Sequence, residues 1–449
     1  MSSRGRPDGK RRWLKLTLIF GVLAVFAVIV LAGCGGGSSS TSAETEAAET
    51  EEPATEEGAT EEEAGTEEAA SEEEGGEEEA SGEATVSEGE LQKTVDTALE
   101  TEEIEASSLP PLMREALELA TTEPTEEEME TAFECWKQNS CTIGEGPITL
   151  GLADGFGDNT WRQFSKMGVI LQAMKFPEVG KIILTNAHGE LATFQSNLRS
   201  LTAQGAKAIV VYNDFGPAAY SALEAAQREG AAISTYVGPN DGAPVTAINT
   251  RVQPDICQAG KEMAKATEEA IGGPGPVAYF EGTPGNPEDE GWKKCATEEG
   301  IESIFEGETE WTPAGAQKAA SALVASGKPV KAILYSYSNP VPSIVNVYLK
   351  AGKEIPAIIT WTQNNETTCQ WIEHPYKLYQ TNALNWAARV SVDAVVKKTE
   401  GEEVPEAVIY PQPFSPAKRS SCEKGKPAEY PGKSALIPEF LVEKMLAGQ

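Results

Sequence analysis

Six short runs along the chain combine flat aromatic rings with amides, hydroxyls and carboxylates. They are Asp154-Gly155-Phe156-Gly157-Asp158-Asn159-Thr160-Trp161-Arg162, Tyr212-Asn213-Asp214-Phe215-Gly216, Glu281-Gly282-Thr283-Pro284-Gly285-Asn286, Ser336-Tyr337-Ser338-Asn339, Trp361-Thr362-Gln363-Asn364-Asn365 and Gln380-Thr381-Asn382. Their chemistry is recognition without bond making. An aromatic face can cover the C–H face of a sugar, while Asn, Asp, Arg and Gln satisfy its hydroxyls, each buried polar group needing a partner. Any one of these residues is explained as well by a turn or a helix cap, as Asn159 or Asn339 would be on its own. Their recurrence is what carries weight. The residues put forward as ligand contacts are Asn159, Trp161, Arg162, Asp214 and Asn382, together with Asn286, Tyr337, Asn339 and Trp361.

Catalytic patterns are weaker. Gly155-Phe156-Gly157 resembles the opening of a dinucleotide fingerprint, but Thr160 stands where the third glycine belongs, and Thr185-Asn186-Ala187 lacks the acid expected for a ribose. Glu288-Asp289-Glu290 reads as the acidic first turn of a helix containing Trp292, favoured by the helix dipole, before it reads as a catalytic pair. There is no Gly-x-Ser-x-Gly elbow and no Walker loop. The two histidines, His188 and His374, lie far apart without a ligand cluster, which argues against zinc. No enzyme activity, metal or cofactor is expected.

The elements that must position these runs alternate regularly from residue 147. Ile148 to Leu152, Lys181 to Thr185, Ala208 to Tyr212 and Ala232 to Tyr236 read as buried strands, being short and rich in Ile and Val. Helices are signalled at Trp161 to Ala173, Leu191 to Ala203 and Ala218 to Arg228, the last two closed by Gly205 and Gly230. A second series follows from about residue 255, with strands at Pro276 to Phe280, Ser303 to Glu306, Lys331 to Tyr335, Ala357 to Thr360 and Lys377 to Thr381. Repeated βαβ units make parallel sheets with helices on both faces, so the expected fold class is α/β, two doubly wound lobes with a cleft between them. In such sheets ligands sit beyond the carboxyl ends of the strands, which is where the six runs fall.

Ahead of this region, Arg4, Arg6, Lys10, Arg11 and Arg12 precede an apolar stretch from Leu16 to Leu31, the order of a secretory leader. Positive charge stays cytoplasmic, so the remainder is expected outside the membrane. The net charge is −34, much of it in a Glu, Ala, Thr, Gly and Ser segment reaching about residue 90. That segment lacks the apolar side chains that would offset ordering entropy and reads as a self-repelling spacer. The acidity argues against nucleic acid. Residues 91–145 carry helical patterns such as Leu112 to Ala120, consistent with an extension packed on the main domain or with a frayed stalk.

Besides Cys34 there are six cysteines, an even number that favours disulfides in an exported protein. Cys135 and Cys141 are close enough to staple a local loop. Six thiols allow fifteen pairings, which spacing does not decide; Cys257 with Cys295 and Cys369 with Cys422 are the pairings favoured here.

From about 146 to 412 the chain resembles the ribose-binding-protein family of type I periplasmic substrate-binding proteins, receptors for ABC importers of sugars and related solutes. The resemblance lies in Ile148 to Leu152 followed by Gly157 to Arg162, in Leu201 to Val211 leading to Asn213-Asp214, and in Val330 to Leu334 through Lys350-Ala351-Gly352-Lys353. Leu31-Ala32-Gly33-Cys34 resembles a bacterial lipobox, which would leave Cys34 lipid-modified; the alternative is an uncleaved anchor. The family's frequent Asn-Asp is replaced by Tyr337-Ser338-Asn339, an arginine is replaced near Asn286, and an aspartate gives way to Thr362 or Gln363, which argues against a ribose-like specificity.

The resemblance implies a leader over 1–33, a tether over 34–90, an extension over 91–145 and a binding domain over 146–412. Lobe one would comprise 146–251 and 383–408, lobe two 252–382 and 409–412, with a three-crossing hinge near 251, 382 and 408 and residues 413–449 packed on lobe two. It further implies a monomeric lipid-anchored receptor that captures a monosaccharide-like solute and closes on it, serving an ABC permease and ATPase. The second reading is a lipoprotein that senses the ligand for a membrane kinase or chemoreceptor.

Overall fold

The computed structural model describes residues 86–448 apart from 239 and 241. The expected leader, Cys34 and the spacer up to residue 85 lie outside the described residues. No helix among those described is long and apolar enough to cross a membrane.

In chain order the strands are β1 (Ser140–Thr142), β2 (Ile148–Asp154), β3 (Val179–Asn186), β4 (Ala206–Tyr212), β5 (Ala232–Tyr236), β6 (Thr250–Pro254), β7 (Val277–Glu281), β8 (Ser303–Glu308), β9 (Ala332–Tyr335), β10 (Ala357–Thr360), β11 (Leu378–Gln380), β12 (Ala407–Tyr410) and β13 (Ser415–Pro416). They form two sheets, ordered β1-β3-β2-β4-β5-β6-β12 and β13-β11-β10-β9-β7-β8. Pairing is parallel except where β1 and β13 close an edge antiparallel. The two doubly wound lobes expected from the alternation are therefore present. β2 lies between β3 and β4, Leu150 aligning with Ile182 on one side and Ala208 on the other. At such a reversal of strand order the helices leave on opposite faces and a crevice opens at the strand ends.

Both faces of each sheet are covered by apolar helix faces. On the first, Met167 and Ile170 from helix Thr160–Ala173 pack with Val392 and Val395 from helix Ala387–Thr399. The opposite face receives Phe194 and Leu198 from helix Leu191–Ala203 and Leu223 from helix Tyr220–Arg228. The second sheet is covered by Met263 and Trp292 on one side and by Leu323 and Ile344 on the other.

The N-terminal extension begins before residue 91. Ser87 and Glu90 form a capping box that starts helix Glu88–Leu99, so the ordered region takes in the last residues assigned to the spacer. With helices Pro111–Thr121 and Glu126–Gln138 it buries Leu91, Val95, Met113, Leu117 and Trp136 in the same core as Ile170 and Val392. The disulfides are Cys135–Cys141, Cys257–Cys295 and Cys369–Cys422.

The backbone passes between the lobes after β6, after β11 and after β12, a few residues later at the first and third passages than expected. The C-terminal segment differs from the expectation more substantially. It stays on the second lobe through β13, the Cys369–Cys422 bond and the Glu366 N–H donated to Ala428 O (2.9 Å). It then returns to the first lobe, where helix Glu439–Ala447 buries Leu441, Val442 and Met445 beside the N-terminal extension.

Glu100, which ends helix Glu88–Leu99 with φ 55°, accepts a hydrogen bond from Gln363 at the end of β10. Gln363 Nε2 also donates to Ser434 Oγ (3.0 Å), which accepts from Ala383 N (3.0 Å). Burial pushes Glu100 up to about 7 from 4.5, against Ser434, Gln363 and Lys418, which favour the carboxylate. A pKa raised by folding contributes stability that is complete below about 4.5 and is lost as pH rises through about 7. Glu100→Gln should therefore gain stability relative to the parent between pH 4.5 and 7.5 in urea melts. Parallel pH profiles for the two proteins would refute that linkage.

Candidate functional site

Asn159 starts the site. Its extended backbone precedes helix Thr160–Ala173, and its Oδ1 accepts the Arg162 N–H at 2.9 Å. This cap places Trp161 and Arg162 in the first turn, against the carboxyl ends of β2 and β4. Arg162 Nη1 donates to Asp154 Oδ1 and Nη2 to Asp214 Oδ1, both at 2.6 Å. The guanidinium carbon lies 3.1 Å from the centre of the Tyr212 ring. Arg162 and Asp154 are 4% and 3% exposed, so this is a buried charge cluster rather than a surface pair. Burial pushes Asp154 up to about 6, with Arg162 opposing. Burial also disfavours the Arg162 cation, but Asp154 and Asp214 outweigh it and hold the guanidinium protonated. Burial raises the Tyr212 hydroxyl well above its ordinary range. Gly155 makes room for the cluster, since a Cβ there would stand 2.4 Å from Asp214 Oδ2.

The second lobe presents an analogous corner. Asn286 caps helix Pro287–Glu298, its Oδ1 accepting from Glu288 N (2.9 Å) and Asp289 N (3.1 Å). Asp289 Oδ2 accepts from Gly282 N (2.9 Å) and Oδ1 from Trp292 Nε1 (2.8 Å). Burial raises its pKa, while those donors and Ser336 favour the carboxylate. Trp311 lies flat over Gly282, where a Cβ would fall 1.9 Å from its ring. Its N–H donates to Thr309 Oγ1 (3.2 Å) and its Nε1 to Ser336 Oγ (3.1 Å).

Between these corners lies a cavity of about 110 Å³. One water needs roughly 10–15 Å³ by the same measure, so the space suits a single small molecule. Of the residues put forward, Asn159, Trp161, Arg162, Asp214, Asn286, Tyr337 and Trp361 line it together. Asn339 and Asn382 do not. Asn382 is fully buried at a passage between lobes, its Oδ1 accepting from Leu384 N (3.0 Å) and Trp386 Nε1 (2.9 Å), so it shapes the hinge. Asn339 is half-buried beside Ser338, outside the lining.

Phe156, Tyr212, Val237, Glu288, Asp289, Trp311, Ser336, Thr362 and Leu384 also line the cavity. Glu288 and Asp289 do occupy a helix first turn, but that turn faces the cleft. Trp311 follows β8, and reading onward from that strand's true end at Glu308 finds it. Val237, Trp311, Thr362 and Leu384 all hold left-handed backbone, with φ between 50° and 62°. Such conformations cost about 1–3 kcal/mol each and persist where surrounding structure over-determines them, as at binding sites.

Two contacts tie the first turn of helix Thr160–Ala173 to neighbouring chain at the rim. The Trp161 Nε1 donates to Ala383 O (2.6 Å), and the Thr160 hydroxyl hydrogen-bonds Glu429 of the C-terminal segment. The arrangement holds polar donors and acceptors from both lobes against aromatic walls, which suits enclosure of a polar solute.

The periplasmic binding protein domain model matches residues 152–402. No curated protein matches the chain. Among solved structures, the arabinose transporter component from Shewanella sp. ANA-3 is 14% identical, with a TM-score of 0.54 over 60% of this chain and 92% of that one. A myo-inositol-bound solute-binding protein from Bacillus halodurans C-125 is 16% identical, with a TM-score of 0.54 over 61% and 95%. A 5-methylthioribose-bound protein from Thermotoga lettingae TMO is 17% identical, with a TM-score of 0.52 over 66% and 97%. At these identities the likeness is one of fold.

Removing the guanidinium should expose the cost of the cluster. Arg162→Met strands Asp154 beneath the cavity and is expected to lower unfolding free energy by about 3–5 kcal/mol in urea titrations. Arg162→Lys should recover only part, because one ammonium cannot fork to both aspartates. A loss below about 1 kcal/mol for the methionine variant would mean the pair is solvated, as surface ion pairs are.

Proposed function

The chain belongs to the periplasmic binding protein domain family, matched over more than half its length, and on that premise we propose that it captures a small polar solute outside the cytoplasm for an ABC importer. The observation carrying this reading is that both lobes contribute hydrogen-bonding groups and aromatic rings to one cavity at the carboxyl ends of their strands. A monosaccharide or related polyol fits this chemistry. Rings such as Trp161 and Trp311 cover C–H faces, and Asn159, Asn286, Asp214 and Ser336 meet hydroxyls. The ligands named for the structural neighbours, arabinose, myo-inositol and 5-methylthioribose, are of that kind.

The mechanism proposed is hinge closure. Contacts drawn from both lobes are complete only when the cleft is shut, so ligand shifts the population towards the closed form, and a permease and its ATPase read that form. Arg162 orders the site: saturated by two aspartates, it fixes where the Asp214 carboxylate meets the ligand. Binding, without turnover, is the role assigned to these groups. The leader over 1–33 and lipidation at Cys34 would keep a monomeric receptor at the membrane, with the acidic spacer as its tether.

Thermal-shift screening against pentoses, hexoses and cyclitols should raise the melting temperature for at least one compound. That compound should change tryptophan fluorescence in the parent, whereas Trp161→Ala should lose most of the change and bind about tenfold or more weakly, with an unaltered circular dichroism spectrum. Undiminished affinity in the variant would remove Trp161 from the site, and silence across the panel would overturn the receptor reading for this ligand class.

A further inference from the structure

Residues 422–438 lie beyond the stretch matched to the binding-domain family, yet they are fastened to both lobes. On the second lobe, helix Asn365–Glu373 gathers them. Cys369 bonds Cys422, and the Asn365 side chain accepts from Glu423 N (2.8 Å) and donates to Lys426 O (3.1 Å). The Glu366 N–H donates to Ala428 O and the Asn365 N–H to Tyr430 O, both at 2.9 Å. Glu429 is therefore held on either side by backbone bonds to the second lobe. From Tyr430 onward the segment engages the first lobe. Tyr430 is 3% exposed in that lobe's core, and Arg389 Nη2 donates to Leu436 O (2.7 Å).

Glu429 is exposed, but its carboxylate takes a hydrogen bond from the Thr160 hydroxyl, on the first residue of the helix that carries Trp161 and Arg162. Thr160 stands between the lining residues Asn159 and Trp161, and Asn365 shortly follows Thr362, a lining residue of the opposite wall. Separating the lobes must part these two points. An exposed contact between two free side chains contributes little, because ordering both offsets the gain. Here the backbone on either side of the acceptor is already fixed, and the donor is a short side chain on a helix, so most of that ordering cost is met in advance. After burial, the Glu429 charge is what raises the Tyr337 hydroxyl, which lines the same cavity. The carboxylate thus stands at the mouth of the cleft.

Resting on the hinge closure described above, we propose that residues 422–438 form a clasp that holds the cleft shut before any solute arrives, with the Thr160–Glu429 contact as its catch. Pulsed electron paramagnetic resonance on the full-length protein without ligand tests this. Spin labels on Glu190→Cys and Thr283→Cys, in a Cys34→Ser background, report the separation of two exposed positions at the strand ends of opposite lobes. In the parent the separation of this structure should dominate over a longer one. Glu429→Ala and Thr160→Val should each raise the ratio of long to short separations about tenfold, the share of one hydrogen bond to a charged group, and the double variant should go no further. A parent resting at the long separation, or two populations unaltered in both variants, would overturn the clasp and leave hinge closure standing. The short separation alone in the parent and in both variants would sink both.

Discussion

A guanidinium withdrawn from water needs partners for its charge and its N–H groups, and at the wall of the cleft Arg162 finds them in two aspartates. Its two forked bonds tie the end of β2, through Asp154, to the end of β4, through Asp214, and its flat face lies on Tyr212. The helix that carries it is oriented by the Asn159 cap. Three elements thus converge on one buried charge: breaking such a pair leaves an uncompensated ion, whereas the intact set roughly balances its own desolvation. The first wall of the cleft inherits its shape from this cluster, and Gly155 is needed because a side chain there would collide with Asp214.

The second wall is held differently. Trp311 reaches the cavity only because Glu310 and Trp311 both adopt left-handed backbone, with φ of 52° and 50°, and because Gly282 leaves space beneath its ring. The cost is carried by hydrogen bonds that Trp311 donates to Thr309 and Ser336 and by the Thr309 hydroxyl against Tyr335 (2.8 Å). The first wall is organised around the charge of Arg162, and Trp311 on the second depends on backbone strain.

These two devices differ in how far a sequence reveals them. Strands dense in Ile and Val announce themselves, and Ala232–Tyr236 and Ala357–Thr360 were legible to the residue, as was helix Leu191–Ala203. β6, with Thr, Arg, Gln and Pro, carries no such pattern, and β1 and β13 are too short to show a period. Residues whose own chemistry faces the cavity, such as Trp161, Arg162 and Asp214, stand out because they follow strong strands closely. Trp311 does not, since its position depends on a backbone conformation that nothing in Glu310-Trp311 favours. Asn382 misleads for the opposite reason: it has the right chemistry after a strand, but Leu384 and Trp386 consume it in the turn between lobes. The acidic turn at Glu288 and Asp289 is fully explained as a helix start, and only the three-dimensional placement of that helix shows what it confronts.

The course of the C-terminal segment has a mechanical side. The binding domain alone gives its lobes three backbone connections near one axis. Residues 423–438 add a fourth, pinned to the second lobe at Cys369–Cys422 and to the first by helix Glu439–Ala447, and bearing at Glu429 on Thr160 at the rim. A joint braced away from its axis opens only as far as that brace has slack. The separation the lobes can reach thus depends on a length of chain that belongs to neither sheet and bears on the rim of the cavity itself.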